Sequence, residues 1–399
     1  MASEGPGGVP RFATRAVHPP KPRAQPGSPV APIIDPSSTY AFDRSETFAE
    51  ASKARTGKGY VYSRWANPTV DAFEAAVADL EGMEAAEAFA SGMAAISAVF
   101  LGLCGAGDRV VASRSLYGNT HSLLTERLPR YGITATLIDL DDFESFGAAL
   151  AGAKLLYCET IGNPRIQVAD LPRLADLAHG AGVPLVVDNT FASPWLCRPR
   201  EHGADISLHS ATKFLGGHHD LLGGVVCADE DLLAPIRAVA RDIGPTLSPF
   251  TAWLALRGMA TLQLRVERSS DNALRVAEAL ARRPDVSKVH YPALKDDPSK
   301  ERCNRLLGGR GGGTLGFDVS GGRERSARFQ EALRVVTPAA SLGGSHSLIV
   351  HPASVTHTQL SARELEAAGI SEGFCRLSVG LEDPDDLISD LTGALDATR

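Results

Sequence analysis

Cysteine is sparse and unpaired in this chain. The six cysteines, at positions 104, 158, 197, 227, 303 and 375, form no Cys-x-x-Cys pair and no zinc-type spacing, so neither a metal finger nor a disulfide framework organises the fold. Several lie inside apolar runs such as Leu155-Leu156-Tyr157-Cys158, where a thiol serves as a small buried hydrophobe in a reducing compartment. A basic surplus is also missing. Lys and Arg total 40 against 47 Asp and Glu, a formal charge of −7, which argues against a nucleic-acid or anionic-membrane partner. The first twenty residues are rich in Gly, Pro and Arg and lack the apolar core of a secretory leader; with the cysteine usage, this leads to the expectation of a cytoplasmic protein. Residues 88–107 carry no charge over a length that can span a bilayer, yet they are rich in Ala, Gly and Ser and are interrupted by Ser91-Gly92. A buried helix is expected there. The glycine-rich residues 308–313 lack a Walker lysine and dinucleotide-binding spacing and read as a turn, and no internal repeat is present.

The 399 residues are enough for two or three domains, and 44% hydrophobic with 22% charged residues is ordinary for a globular enzyme. Residues 1–60 are expected to form an irregular arm laid over a neighbouring chain, because Pro19, Pro20, Pro22, Pro26, Pro29 and Pro32 forbid long helices. A helix should start at Asn67-Pro68-Thr69, with Phe73, Val77 and Leu80 on one apolar face. Strands are expected at 109–112, 134–138, 154–158, 184–187, 206–208 and 224–227, with a helix opening at Asp170-Leu171-Pro172 among them. Near-continuous apolar strands separated by amphipathic helices imply an α/β domain over residues 61–257, with a mostly parallel sheet covered on both faces. From residue 258 onward, longer charged helices over 262–283 and 323–334 alternate with shorter strands, which predicts a smaller α+β domain over 258–399.

Lys213 lies in Ser210-Ala211-Thr212-Lys213-Phe214-Leu215-Gly216-Gly217, directly after the strand pattern Asp205-Ile206-Ser207-Leu208-His209. Twenty-five positions earlier, Asp188 ends the apolar run Val183-Pro184-Leu185-Val186-Val187. A lysine able to form a Schiff base, two hydroxyls able to take a phosphate and a carboxylate at a strand end are what pyridoxal 5'-phosphate (PLP) needs. Taken singly, Lys213 could be a surface charge and Asp188 a helix cap or turn former. The carboxyl ends of strands in open α/β sheets are, however, where ligands bind. Ser91-Gly92-Met93 supplies the remaining part, a helix start whose N–H groups and dipole favour a phosphate.

Further motifs are Tyr62-Ser63-Arg64-Trp65-Ala66-Asn67-Pro68-Thr69, Leu116-Tyr117-Gly118-Asn119-Thr120, Glu159-Thr160-Ile161-Gly162-Asn163-Pro164, Val187-Asp188-Asn189-Thr190 and Arg376-Leu377-Ser378-Val379-Gly380. In this order, with the two above, they resemble the Cys/Met-metabolism family of PLP enzymes, which act in trans-sulfuration, over nearly the whole chain. The resemblance implies the aspartate aminotransferase-type fold of PLP-dependent transferases, fold type I. It implies that Lys213 carries the cofactor and moves protons, that Asp188 pairs with the ring nitrogen, and that Tyr117 stacks on the ring and acts as acid and base near the leaving thiol. Gly92, Met93, Ser210 and Thr212 would bind the phosphate from one subunit, with Tyr62 and Arg64 reaching it from the neighbour. Arg376 would grip the substrate α-carboxylate beside Ser341 and Asn163. A shared site makes a dimer the minimum unit, and the family implies a homotetramer built as a dimer of dimers.

Within the family, methionine γ-lyases are most similar in Ser341-Leu342-Gly343, in His351-Pro352-Ala353-Ser354-Val355-Thr356-His357 and in Gly369-Ile370-Ser371-Glu372-Gly373. Ala340 stands where cystathionine-cleaving members carry a glutamate, and Asn119 stands where many methionine γ-lyases carry a cysteine. Arg241-Asp242 matches a lysine-aspartate pair of those lyases. The expected reaction is γ-elimination from L-methionine to 2-oxobutyrate, ammonia and methanethiol. Alternatives are cystathionine γ-lyase, cystathionine γ-synthase or O-acetylhomoserine sulfhydrylase activity, and, in a different class, an inactive PLP-binding scaffold or regulator.

Overall fold

Apolar strands buried on both faces need helices above and below, and the chain supplies them in alternation. The computed structural model describes residues 9–20, 27–53, 59–355, 365 and 369–399. A seven-stranded sheet is built from β1 (Ala85–Phe89), β2 (Arg109–Ser113), β3 (Thr134–Ile138), β4 (Leu155–Glu159), β5 (Leu185–Asp188), β6 (Ile206–Ser210) and β7 (Gly224–Ala228), in the order β1-β7-β6-β5-β4-β2-β3. The β6-β5-β4-β2-β3 neighbours are parallel, while β7 runs antiparallel to β6 and to β1. Strands β4, β5 and β7 are buried at every position, as expected for a sheet covered on both faces. One face packs Leu156, Cys158, Leu185, Val187, Val225 and Cys227, and the other packs Leu155, Tyr157, Val186, Leu208 and Val226.

The helix expected from Asn67 runs Pro68–Glu81; Asn67 caps it, its side chain accepting from Thr69 N, and Gly82 ends it at φ 71°. The charge-free residues 88–107 are not a single helix. Ala88 and Phe89 close β1, and the helix begins at Gly92 because Ser91 is extended, at φ −161° and ψ 163°, with its hydroxyl accepting from Ala94 N. Glu87 on the preceding strand hid this boundary from a reading of charge alone. The first sixty residues include two short helices, Phe12–Val17 and Ser45–Lys53. The first of these packs on its own chain: the Phe12 and Trp195 rings lie 5.1 Å apart, and Arg15 Nε meets Asp79 Oδ2 at 2.8 Å.

The second sheet, ordered β10-β11-β12-β9-β8, contains β8 (Val286–His290), β9 (Thr314–Val319), β10 (Thr337–Pro338), β11 (Leu348–Val350) and β12 (Phe374–Ser378). All its pairings are antiparallel except β10 with β11. The helices Pro249–Met259 and Leu262–Ala281 carry the chain from one sheet to the other, so residues 257 and 258 lie inside a helix. Thr356 and His357 of the motif at 351–357 lie outside the described residues. Among the described residues, no helix is long and apolar enough to cross a membrane.

Candidate active site

Parallel pairing aligns the carboxyl ends of β4, β5 and β6, where the candidate site residues gather. Glu159 pairs with Asp188 in the β4–β5 register and Asp188 with Leu208 in the β5–β6 register. Asp188 Oδ1 accepts from Thr190 N at 3.0 Å and Oδ2 from the Tyr157 hydroxyl at 3.4 Å. Burial pushes this carboxyl above its ordinary value, opposed by Thr190, His209 and Tyr157. Thr190 Oγ1 in turn accepts from Ser210 N at 2.8 Å, tying the end of β5 to the start of the lysine loop.

Lys213 Nζ is half-buried and donates to Ser341 Oγ at 2.8 Å. Among the described residues no carboxylate pairs with it. Burial, aided by the Arg376 charge, lowers its pKa to about 8, so a usable fraction is unprotonated and nucleophilic near neutrality. Ser341 holds φ 100°, an unfavourable backbone for a residue with a side chain. This conformation lets its hydroxyl face Lys213 while its carbonyl accepts from Arg376 Nη2 at 3.2 Å. Arg376 is 4% exposed, and its Nη1 donates to Asn163 Oδ1 at 2.9 Å. Among the described residues its Nε has no hydrogen-bond partner. Burial lowers its pKa to about 10, which still leaves a cation able to take an anionic ligand.

The side expected to take the phosphate is built on close approach. A Cβ on Gly92 would lie 2.6 Å from Ser210 Cβ, and one on Gly224 would lie 2.2 Å from Ser91 O. Glycine at both places lets the helix Gly92–Leu103 seat its N-terminus against β6 and β7. The N–H groups of Gly92 and Met93 belong to its first turn, where no intrahelical acceptor exists. The Thr212 hydroxyl is engaged with the Gly223 backbone, accepting from its N–H at 3.0 Å. Tyr117 precedes the short helix Gly118–Ser122, and its phenol oxygen accepts from Asn119 Nδ2 at 3.1 Å.

Tyr62 and Arg64 do not join this group within one chain. Tyr62 is 41% exposed, Arg64 Nη1 donates to the Arg241 carbonyl, and Arg64 sits 5.5 Å from the Tyr62 ring. Among the described residues neither touches Lys213, Asp188, Ser210 or Thr212. Two groups escaped the reading of site residues. Glu159 Oε1 accepts from Tyr117 N at 2.7 Å and Oε2 from Asn163 N at 2.9 Å, so one carboxylate sets both backbones. Burial and the nearby Asp188 push it well above its ordinary value. Arg265 reaches the carbonyls of Phe214 at 2.7 Å and Gly258 at 2.6 Å, passing where a Cβ of Gly217 would stand. Glu159 opens the motif Glu159-Thr160-Ile161-Gly162-Asn163-Pro164, whereas nothing in the sequence around Arg265 marks it.

A nucleophilic lysine, a buried carboxylate at a strand end, open N–H groups at a helix start and a buried arginine together fit an aldehyde cofactor with a phosphate and a basic ring nitrogen, plus an amino-acid substrate. The cofactor-free protein is therefore expected to take up PLP at a rate rising about tenfold per pH unit below pH 8 and levelling above it, since only unprotonated Nζ attacks an aldehyde. Stopped-flow absorbance of reconstitution checks this; a rate flat from pH 6 to 9 would count against Lys213.

The family model for Cys/Met metabolism PLP-dependent enzymes matches residues 13–396. L-methionine gamma-lyase of Porphyromonas gingivalis is 41% identical over 392 residues, 97% of this chain and 97% of that one. O-succinylhomoserine sulfhydrylase of Pseudomonas aeruginosa is 41% identical over 362 residues, 90% of this chain and 89% of its own. Among solved structures, cystathionine gamma synthase from Xanthomonas oryzae pv. oryzae, in complex with aminoacrylate and cysteine, superposes with a TM-score of 0.91 at 36% identity, over 98% of this chain and 100% of that one. Since those matches run almost from end to end and the clustered residues suit the same cofactor, this chain belongs to the Cys/Met-metabolism family of PLP-dependent enzymes.

Proposed function

We propose that the protein is a carbon–sulfur lyase that eliminates the γ-thiol of L-methionine, giving 2-oxobutyrate, ammonia and methanethiol. The observation that carries the substrate choice is the loop entering the site. Thr337-Pro338-Ala339-Ala340-Ser341 delivers Ser341 to Lys213 without a carboxylate, so the distal ammonium of cystathionine has no acid there to meet it, whereas a methyl thioether needs none.

Lys213 would hold PLP, with Asp188 facing the ring nitrogen and Gly92, Met93, Ser210 and Thr212 around the phosphate. The bound cofactor supplies an electron sink for negative charge developing on substrate carbons. Arg376, aimed by Asn163 and the Ser341 carbonyl, binds the α-carboxylate and fixes Cα over Lys213. The Nζ would then remove the Cα proton, hand it to the cofactor carbon that carried the aldehyde and, once free again, remove a Cβ proton, a role suited to an amine whose pKa is about 8. The Tyr117 hydroxyl, held by Asn119 Nδ2, gives its proton to the departing sulfur. Tyr62 and Arg64, turned away from their own chain's Lys213, reach the phosphate of a neighbour, so the working unit is a dimer within a tetramer.

O-acylhomoserine sulfhydrylation is a second reading, favoured by Asn119, whose amide suits a more polar leaving group than a thiol. A substrate panel of methionine, homocysteine, cystathionine, cysteine and O-acetylhomoserine, scored for 2-oxobutyrate and for thioether products, separates the two. Methionine should lead. Ala340→Glu should raise cystathionine use relative to methionine by about fivefold, the worth of an ion pair of ~1 kcal/mol. A wild-type enzyme that strongly prefers cystathionine, or needs a thiol co-substrate, would refute the methionine reading.

A further inference from the structure

The helix Leu262–Ala281 sends two polar side chains into the interior, and each grips backbone close to the site. Arg265 and Asn272 are 7% and 2% exposed. Seven positions apart, they lie on one helix face, separated by about two turns or ~10 Å. Arg265 Nη1 donates to Phe214 O at 2.7 Å, Nη2 to Gly258 O at 2.6 Å and Nε to Thr261 Oγ1 at 3.1 Å. Asn272 Nδ2 donates to Gly380 O at 3.1 Å and to Glu382 O at 2.9 Å. Packing alone does not explain Arg265. Among the described residues no carboxylate pairs with it, and burial lowers its pKa to about 10; a methionine would fill the same space without an unpaired charge to desolvate. The lysine loop makes room for it, since Gly217, at φ 75°, leaves free for the guanidinium the place its own Cβ would take.

The two ends hold opposite halves of the site. Phe214 directly follows Lys213, so Arg265 fixes the backbone from which the lysine projects. Gly380 lies four residues beyond Arg376, where the chain leaves β12. Its N–H donates to Ser347 Oγ at 2.9 Å, and the Glu382 carboxylate accepts from Ser347 N at 2.6 Å and from Ser347 Oγ at 2.9 Å. Gly343 N donates to Ser378 Oγ at 2.9 Å. Asn272 therefore fastens the strand that carries Arg376 and, through it, the loop that delivers Ser341. The hydrogen bond between Lys213 and Ser341 cannot keep the halves in register during a reaction, because Nζ is the atom that must leave it to work.

We infer that the helix Leu262–Ala281 is a spacer: Arg265 ties one end to the Lys213 loop, Asn272 ties the other to the Arg376 strand, and the rigid length between them sets Lys213 Nζ against the substrate Cα. Both are positioning residues. The inference rests on the reading that Lys213 takes the Cα proton of a substrate held by Arg376. A spacer works only when both ends are fastened. Freeing either end loses the same relative position, and freeing the second then loses little more, whereas two residues that merely stiffen their own surroundings would lower the rate by independent factors that multiply.

The test compares holoenzyme carrying Arg265→Met, Asn272→Leu and both together. The first readout is the rate at which the substrate Cα proton exchanges into D2O, which isolates the Lys213 step, measured at saturating substrate and with the half-saturating concentration determined separately. Each single variant should slow exchange about thirtyfold with half-saturation within about threefold, since a small misplacement of a reacting group is costly. The double variant should fall within about threefold of the slower single one, far from the roughly 10³-fold product. The second readout is backbone amide exchange without substrate. Arg265→Met should speed it at Gly216 and Gly217 and leave Gly380 and Leu381 as they are; Asn272→Leu should do the reverse. Multiplying rate losses, a single variant within twofold of the wild-type rate, a loss confined to half-saturation, or amide exchange rising at both ends in each variant would overturn the inference. Should either variant not fold, Arg265→Lys, which lacks the planar fork, or Asn272→Ser takes its place in the same comparison. Borohydride reduction of wild-type holoenzyme tests the underlying reading separately: the cofactor should be fixed on the peptide containing Lys213, and a label elsewhere would sink that reading whatever the variants do.

Discussion

Lys213→Ala is expected to abolish turnover, lowering kcat by at least about 10⁴-fold, while the far-ultraviolet dichroism and chromatographic size stay those of the wild type. Loss of general acid–base catalysis alone costs about 10²–10⁴-fold, and loss of the covalent anchor adds to it. The fold should tolerate the change because the lysine is held by a single hydroxyl, Ser341 Oγ, and is desolvated in the native chain. The visible absorbance of lysine-bound cofactor should vanish with it. Near wild-type turnover would remove Lys213 from the mechanism. The same variant tests whether the site is shared. Mixed in equal amounts with inactive Arg64→Ala protein under exchange conditions, it should recover about a quarter of wild-type activity, since half the dimers are hybrids with one intact site of two. No recovery despite demonstrated exchange would mean that the site is built within one chain.

Arg376→Leu should lower kcat/KM about 10²–10³-fold, with most of the loss in KM, as expected when the buried cation facing a carboxylate is removed. Arg376→Lys should recover little of it, because an ammonium cannot reproduce the planar fork that meets Asn163 and the Ser341 carbonyl together. A second readout follows from electrostatics. The Arg376 charge helps hold the Lys213 pKa down at about 8, so its removal stabilises the protonated amine. The pH at which cofactor uptake levels off should therefore move upward in Arg376→Leu, and a downward or absent shift would show that the two cations do not sense each other.

The strands at 109–113, 134–138, 155–159, 185–188, 206–210 and 224–228 were legible within a residue or two, because burial on both faces writes an unbroken apolar run into the chain. Strand β1 was not, since Glu87 sits in it and its Ala-rich end merges into the following helix. Lys213, Asp188 and the Ser91-Gly92 helix start were also readable, each being a local pattern of strand end, loop and cap. Pairings across the chain were not readable. Arg376 with Asn163 spans 213 positions, His209 with Glu81 spans 128, and Arg265 with Phe214 spans 51; nothing near either partner announces the other. The φ of 100° at Ser341 is likewise imposed by its surroundings, since no residue with a side chain favours it alone. By itself, then, the sequence determined the strands, the caps and the residue types of the site, which depend on neighbours a few positions away. The tertiary structure alone decided which buried charges meet, how far Lys213 is desolvated and which way Tyr62 and Arg64 face, because those depend on long-range packing and on water excluded by distant parts of the chain.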